Sequence, residues 1–205
     1  MPASAGSSSE RPAEAGTSSF NTPSASDVRV ADERDAAVLT AIAAVTFPLA
    51  CPPTTTDAAK ADFIARHLSL GSFQRYLADP ERMILLAEYR GRPAGYTMLV
   101  FAEPTDTDVL AVVRPRPTVE LSKCYVLPEL HGHGLASALI DASVAAATQR
   151  GARSMWLGVN QFNSRANRFY EKSGFTRIGV KRFLVGDVWE HDFVRERILE
   201  GAVRQ

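Results

Sequence analysis

Residues 119–136 read VELSKCYVLPELHGHGLA, and the reading of this stretch decides the fold. Its apolar positions are Val119, Leu121, Cys124 and Val126, a spacing of two, three and two where an unbroken strand keeps two throughout. One extra residue at about Ser122 and Lys123 is what a β-bulge inserts, and a bulge would splay this strand from its parallel neighbour. A regular strand with one misplaced polar residue is the alternative. Pro128 to Ala136 then leads from the strand into a helix, and the small residues Gly132, Gly134 and Ala136 let backbone amides converge unobstructed. The first N–H groups of a helix lack internal partners and carry the positive end of its dipole, so this turn suits a phosphate or pyrophosphate. A tight turn with no ligand is the plainer reading. No GK[ST] follows, which excludes a Walker A loop. Ser137 and Trp156 stand where a dinucleotide fingerprint needs its third glycine and its acidic residue.

Outward from this stretch, the chain predicts a helix from about Leu135 to Arg150 closed by Gly151, then a strand over Ser154 to Val159. Strand, helix, strand in that order implies two parallel neighbours joined by a right-handed crossover. A helix over Asn163 to Lys172 with Gly174 behind it precedes a hairpin of Phe175–Val185 and Val188–Leu199 around Gly186 and Asp187. On the amino-terminal side, Met83 to Phe101 reads as a hairpin turning at Arg90, Gly91, Arg92 and Pro93. Glu103 to Pro117 reads as a loop or frayed edge. Before these come a short strand at Val28–Ala31 and a helix capped by Asp32 with Asp35 three residues on. That helix carries Val38, Leu39, Ile42 and Val45 and is stopped by Pro48, Pro52 and Pro53. A second helix begins at Asp57, carries Phe63, Ile64 and Leu68 and ends at Gly71; a third has Ser72 capping Phe73, Tyr76 and Leu77. These short pieces form a wall or lid over the sheet. The fold class is therefore α/β (α+β): a mixed central β-sheet with a splayed parallel strand pair and helices on both faces.

Of the 205 residues 45% are hydrophobic, enough for a full core, and 23 basic residues balance 23 acidic ones. That balance offers no global field for nucleic acid or anionic membrane, so neither partner is expected. No apolar run approaches the roughly 20 residues a membrane span needs. Cys51 and Cys124 are too few and too far apart for a disulfide framework or zinc cluster, which fits a reducing, cytoplasmic setting. Residues 1–26 are dominated by Ser, Ala, Pro, Gly and Thr and are expected to be a disordered tail. Residues 27–199 form one domain and 200–205 a short C-terminal tail.

His131, Gly132, His133, Gly134, Leu135 and Ala136 resemble the acetyl-CoA signature of the GNAT superfamily of N-acetyltransferases, [QR]-x-x-G-x-[GA], with His131 in place of the usual Gln or Arg. Tyr125, Val126, Leu127 and Pro128 resemble the family's Y-V-x-P lead-in. Asn163, Ala166, Phe169, Tyr170, Gly174 and Phe175 resemble its N-x-x-A-x-x-F-Y-x-x-x-G-F segment. The likeness extends more loosely over about residues 27–199. It implies the GNAT fold and acetyl-CoA as co-substrate, without a metal. The pantetheine arm would pair with the backbone of Cys124 and Val126. The pyrophosphate would lie on the amides of Gly132, His133, Gly134, Leu135 and Ala136 with the Ser137 hydroxyl, and Asn163 would help hold the cofactor.

Acetyl transfer to an amine needs a neutral amine, a polarised carbonyl and a protonated leaving thiolate. An alkyl amine titrates near 10.4, so something must take its proton. Glu120 on the bulged strand is the candidate base, or else a solvated strand residue. The Val126 N–H would polarise the carbonyl, and Tyr170 is the candidate general acid, or else a helix aromatic packed beside Phe169. His131 and His133 at i, i+2 lack a third metal ligand. Cys124 in an apolar strand slot reads as core rather than as an acyl carrier. Arg165, Arg168 and Lys172 face either a ribose phosphate or solvent. The expected activity is acetyl transfer to a small-molecule primary amine such as a polyamine, by direct attack in a ternary complex. The alternatives are acetylation of a protein N-terminus or lysine, and a catalytically silent acetyl-CoA-binding module. A homodimer is left open.

Overall fold

The computed structural model describes residues 26–185 and 188–199. Seven strands, β1 (Ser26–Val30), β2 (Arg82–Tyr89), β3 (Arg92–Val100), β4 (Thr118–Val126), β5 (Ser154–Asn160), β6 (Thr176–Val185) and β7 (Val188–Ile198), form one sheet in the order β1-β2-β3-β4-β5-β7-β6. Every neighbouring pair is antiparallel except β4–β5. Six helices, α1 (Ala36–Ala50), α2 (Asp57–His67), α3 (Leu70–Ala78), α4 (Thr107–Val112), α5 (Leu135–Gln149) and α6 (Ser164–Lys172), flank it.

Period-two alternation decides which side each strand residue serves. Ile84 and Leu86 pack with Leu39, Ile42 and Phe47 of α1 and Phe73 of α3. Their neighbours Leu85 and Ala87 pack with Leu135 and Leu139 of α5 on the other face. A second cluster joins Ile140 and Ala147 of α5 to Leu121, Met155, Leu157 and Phe175, with Phe169 and Tyr170 of α6 against it. Helices therefore cover both faces, and the mixed sheet matches the expected class.

Local chemistry departs from the sequence reading at several points. Pro48 does not stop α1, which runs on to Ala50 before Cys51, Pro52 and Pro53 leave it; Val45 is half exposed, and Ala43 and Thr46 take the buried face instead. α2 begins at Asp57 as expected, capped by Thr56, whose hydroxyl accepts from the Ala59 N–H, but it ends at His67 rather than at Gly71. Ser69 rather than Ser72 caps α3, Gly71 lies inside that helix, and Ser72 is buried with its hydroxyl on the Arg66 carbonyl. Within Glu103–Pro117 stands α4: Asp106 accepts from the N–H groups of Asp108 and Val109, and Val109 and Val113 pack on Trp156 and Val194. Ser26 already belongs to β1, whereas residues 1–25, the hairpin turn at Gly186 and Asp187, and residues 200–205 lie outside the described residues.

The expected capping box at Asp32 is present. Asp35 accepts both guanidinium nitrogens of Arg29 at 2.8 Å and the Asp32 N–H at 2.8 Å, tying β1 to the start of α1. These bonds hold its carboxyl below the usual carboxylate range. Asp35→Ala is expected to lower stability by about 1–3 kcal/mol at pH 7. A depressed carboxylate stabilises above its unfolded pKa and loses that contribution as it protonates. Urea unfolding should therefore show the wild-type advantage shrinking as pH falls below about 4.

Candidate active site

β4 pairs with β5 through Thr118, Val119 and Glu120 only, opposite Ser154, Met155 and Trp156. On its other edge, Met98 faces Lys123 and Leu99 faces Leu121, so Ser122 is the extra residue of a bulge where the spacing predicted one. Beyond it, the Leu127 N–H bonds the Ala94 carbonyl at 2.8 Å. By the alternation of an antiparallel ladder, Tyr125 and Leu127 turn their backbone groups to β3, and Cys124 and Val126 turn theirs into the gap beside β5.

That gap is the head of a cleft of about 500 Å³, lined by Cys124, Val126, His131, Gly134, Ser137 and Tyr170 among others. At its far end α5 is preceded by Gly134, whose φ of 79° is left-handed and which supplies no side-chain cap, so the N–H groups of the first turn face the cleft. Gly132, with φ 89°, is left-handed as well; a Cβ at either glycine would meet nothing within 4 Å. Glycine is thus required there by backbone conformation rather than by crowding from the protein. His131 turns its ring back onto the strand and donates from Nε2 to the Val126 carbonyl at 2.9 Å. The His133 ring packs on Tyr89 at 5.0 Å, outside the cleft lining, with Nδ1 3.3 Å from the Leu130 carbonyl. Leu135 is buried and offers only its backbone. The Asn163 side chain lines the cleft while its Oδ1 caps α6 by accepting from the Ala166 N–H at 3.0 Å. Arg165 reaches the same cleft; Arg168 and Lys172 are not among its lining residues. Among the described residues no group of three His, Cys, Asp or Glu could hold a metal.

A second chamber of about 310 Å³ adjoins the first, and the two share Ala50, Cys124, Tyr125, Asn163, Ala166 and Tyr170. At this junction Tyr170 and Cys124 line both chambers and belong to the same apolar cluster. Burial raises the Tyr170 phenol well above its usual value, so it keeps its proton, and pushes the Cys124 thiol up to about 12. A thiol that reluctant to ionise is a poor nucleophile. The chamber walls include Phe47 stacked on Phe63 at 4.5 Å, and Glu120, Lys123, Lys181 and Asp192.

Glu120 and Lys123 lie three residues apart, which in a regular strand would put them on opposite faces. The bulged Ser122 between them returns both to the chamber face. Burial raises Glu120 against the opposing pull of Lys181, Lys123 and Arg82. Burial likewise lowers Lys123 to about 8. Lys123 and Lys181 escaped the sequence reading. The signal for Lys123 was present, because a bulge between two strand residues fixes which of them share a face. Lys181 had none, because it arrives from β6 across the sheet.

Residues 49–175 match the model of the acetyltransferase (GNAT) family. The chain belongs to this family. An uncharacterized N-acetyltransferase of Mycobacterium tuberculosis is 46% identical over 165 residues, covering 80% of this chain and 98% of the relative. Among solved structures, the PaiA N-acetyltransferase of Thermoplasma acidophilum in complex with coenzyme A superposes with a TM-score of 0.68 at 18% identity, over 84% of this chain and 98% of that one. YncA of Salmonella typhimurium, solved with its cofactor acetyl-CoA, superposes with a TM-score of 0.58 at 24% identity, over 88% and 98%. This GNAT protein is an acetyl-CoA-dependent N-acetyltransferase, and the uncapped helix start and unpaired strand edge fit the co-substrate's pyrophosphate and amide-bearing arm.

The buried ammonium of Lys123 gives a stability test with a definite sign. Below pH 8 folded and unfolded chains both carry the charge, and the folded one bears its full desolvation cost. As pH rises from 8 towards 10.5 the folded lysine is neutral and that cost falls away. Lys123→Met is expected to be more stable than wild type by about 1–3 kcal/mol at pH 7. Denaturant titrations should show this advantage narrowing steadily above pH 8.

Proposed function

We propose that this acetyltransferase moves the acetyl group to the primary amine of a small molecule by direct attack in a ternary complex, with Glu120 as base and Tyr170 as general acid. The observation that carries this reading is the junction of the two chambers at Cys124, Tyr125 and Tyr170. There, a thioester entering along the splay meets an amine entering from the other side. Acetyl-CoA supplies the activated acyl group. Cys124 and Val126 offer their outward backbone groups to its arm, and the amides of Gly132, His133, Gly134, Leu135 and Ala136, with Ser137, face its phosphates. His131 braces the loop against Val126, and Asn163 borders the cleft at the start of α6.

Glu120, held above the usual carboxylate value by burial, is a stronger base toward an incoming ammonium than an exposed carboxylate would be. The N–H of Val126 faces the place where carbonyl oxygen becomes negative. Tyr170 keeps its hydroxyl proton and lies where the sulfur must leave, so it can donate as the carbon–sulfur bond breaks and the carbon–nitrogen bond forms. The unionised Cys124 beside it supports direct transfer rather than a covalent acyl-enzyme. A primary amine, rather than a protein chain, suits a chamber of about 310 Å³ roofed by α1 and α2.

Tyr170→Phe keeps the ring and its packing on Phe169 and Phe175 while removing the hydroxyl. It is expected to lower kcat about 100-fold with little change in acetyl-CoA affinity. Glu120→Gln should remove the acid-side limb of the kcat/KM–pH profile, which in wild type falls as Glu120 protonates. Steady-state kinetics on amines, read by release of free CoA, checks both. A Tyr170→Phe enzyme within twofold of wild type would assign the leaving group to water.

A further inference from the structure

The chamber carries more charge than acetyl transfer to a simple amine requires. Lys123 projects into it from β4 with its ammonium 5.5 Å from the centre of the Tyr76 ring, and among the described residues no carboxylate lies at ion-pair distance from it. Its surroundings reinforce the positive sign. Arg82 lies over the same tyrosine ring at 4.9 Å, already bonded to Asp79 at 3.0 Å, and protonation of His67 is disfavoured first by burial and then by Lys123. Two acidic groups line the same chamber. Glu120 is beside Lys123 on the same strand face. Asp192 enters from β7 over Gly158, where its Oδ2 and the Cε of Lys181 lie 3.3 and 2.8 Å from the place of an added Cβ. Lys181 is engaged on that side, with its ammonium 3.7 Å from Asp106.

A buried ammonium is costly, and burial makes the folded form lose its proton more readily even with Glu120 nearby to offset part of that cost. The cost falls when a ligand brings the missing anion, and a ligand that lacks it leaves the charge uncompensated, which is how buried polar groups reject near-substrates. We propose that the acceptor is an amino acid, a primary amine carrying its own carboxylate, with Lys123 taking the carboxylate and Glu120 facing the amine. This inference rests on the acetyltransferase reading of the same site. Neighbouring groups of opposite sign on one strand face, set there by the bulge at Ser122, match a zwitterion whose two charges are a few bonds apart. A polyamine would bring further ammonium groups against Lys123 and Lys181 instead.

The test is a panel of free α-amino acids, each paired with its own carboxamide, together with putrescine and spermidine, read by free-CoA release. Conversion of carboxylate to carboxamide makes the amine less basic, a change that favours the amide, so preference for the acid cannot originate in the amine. At least one amino acid should show a kcat/KM about 10- to 100-fold above its carboxamide, with the difference residing mainly in KM. Lys123→Met should bring that ratio close to one, and Lys123→Arg should keep part of it. Melting curves establish that both variants are folded. Carboxamides or polyamines used as well as acids, or a preference that survives Lys123→Met, would overturn the inference and leave the acetyltransferase reading standing. Release of CoA with none of these amines, in protein that binds acetyl-CoA by calorimetry, would overturn the small-amine reading and this inference with it.

Discussion

Three residues of β4 pair with β5, and after Glu120 the two parallel strands part. Everything distinctive about this molecule depends on that interruption. A strand in the middle of a seven-stranded sheet should pair on both edges, because a buried backbone group without a partner costs nearly as much as a lost hydrogen bond. Ser122, inserted opposite nothing on β3, increases the local twist and carries the rest of β4 away from β5. The edge left behind at Cys124 and Val126 is a strand position waiting to be filled, and the arm of acetyl-CoA is a chain of amides of the right kind to fill it.

The same extra residue organises the chemistry. It returns Glu120 and Lys123 to one face, so the acid and the ammonium that border the acceptor chamber come from a single irregularity in the ladder. It also leaves Cys124 on the opposite face, against Tyr170, at the point where the cofactor cleft and the acceptor chamber meet. In the proposed reaction one strand thus presents its backbone to the co-substrate, one set of side chains to the acceptor, and the other set to the helix that carries Tyr170. The electrostatics follow from enclosure: burial keeps Tyr170 protonated and Cys124 unionised, raises Glu120 and lowers Lys123.

The legible parts of the sequence were those where a local rule has one outcome. The two-three-two spacing of Val119, Leu121, Cys124 and Val126 has a bulge as its simplest explanation, and the small residues Gly132, Gly134 and Ala136 mark a turn whose backbone amides are left clear, which the structure makes with left-handed Gly132 and Gly134. Misreadings arose where tertiary context decides. Glu103–Pro117 is rich in Pro, Asp and Thr and reads as loop, yet its buried pair Val109 and Val113 has Trp156 and Val194 to pack on, and Asp106 to cap the turn. Pro48 reads as a stop, but a helix can carry a proline one turn from its end when packing of Ile42, Ala43 and Phe47 holds the preceding turns. Ser69 and Ser72 are both plausible caps by type, and only the burial of Ser72 separates them. Within the site, the backbone cradle was readable from motif and glycine pattern, whereas the walls of the acceptor chamber gather from β4, β5, β6, β7 and α1–α2, elements whose juxtaposition no local rule encodes.

The claim on which the account rests is that the edge of β4 beyond the bulge is unpaired in the free protein and is completed by the co-substrate. Residue-resolved amide hydrogen exchange, with and without acetyl-CoA, measures this directly. The Tyr125 and Leu127 amides, turned to β3, should be protected in both states. The Cys124 and Val126 amides should exchange readily in the free protein and slow by up to about 100-fold when acetyl-CoA is present at about 100 times its Kd. Exchange at Cys124 and Val126 that is slow before ligand is added, or unchanged after it, would contradict the account.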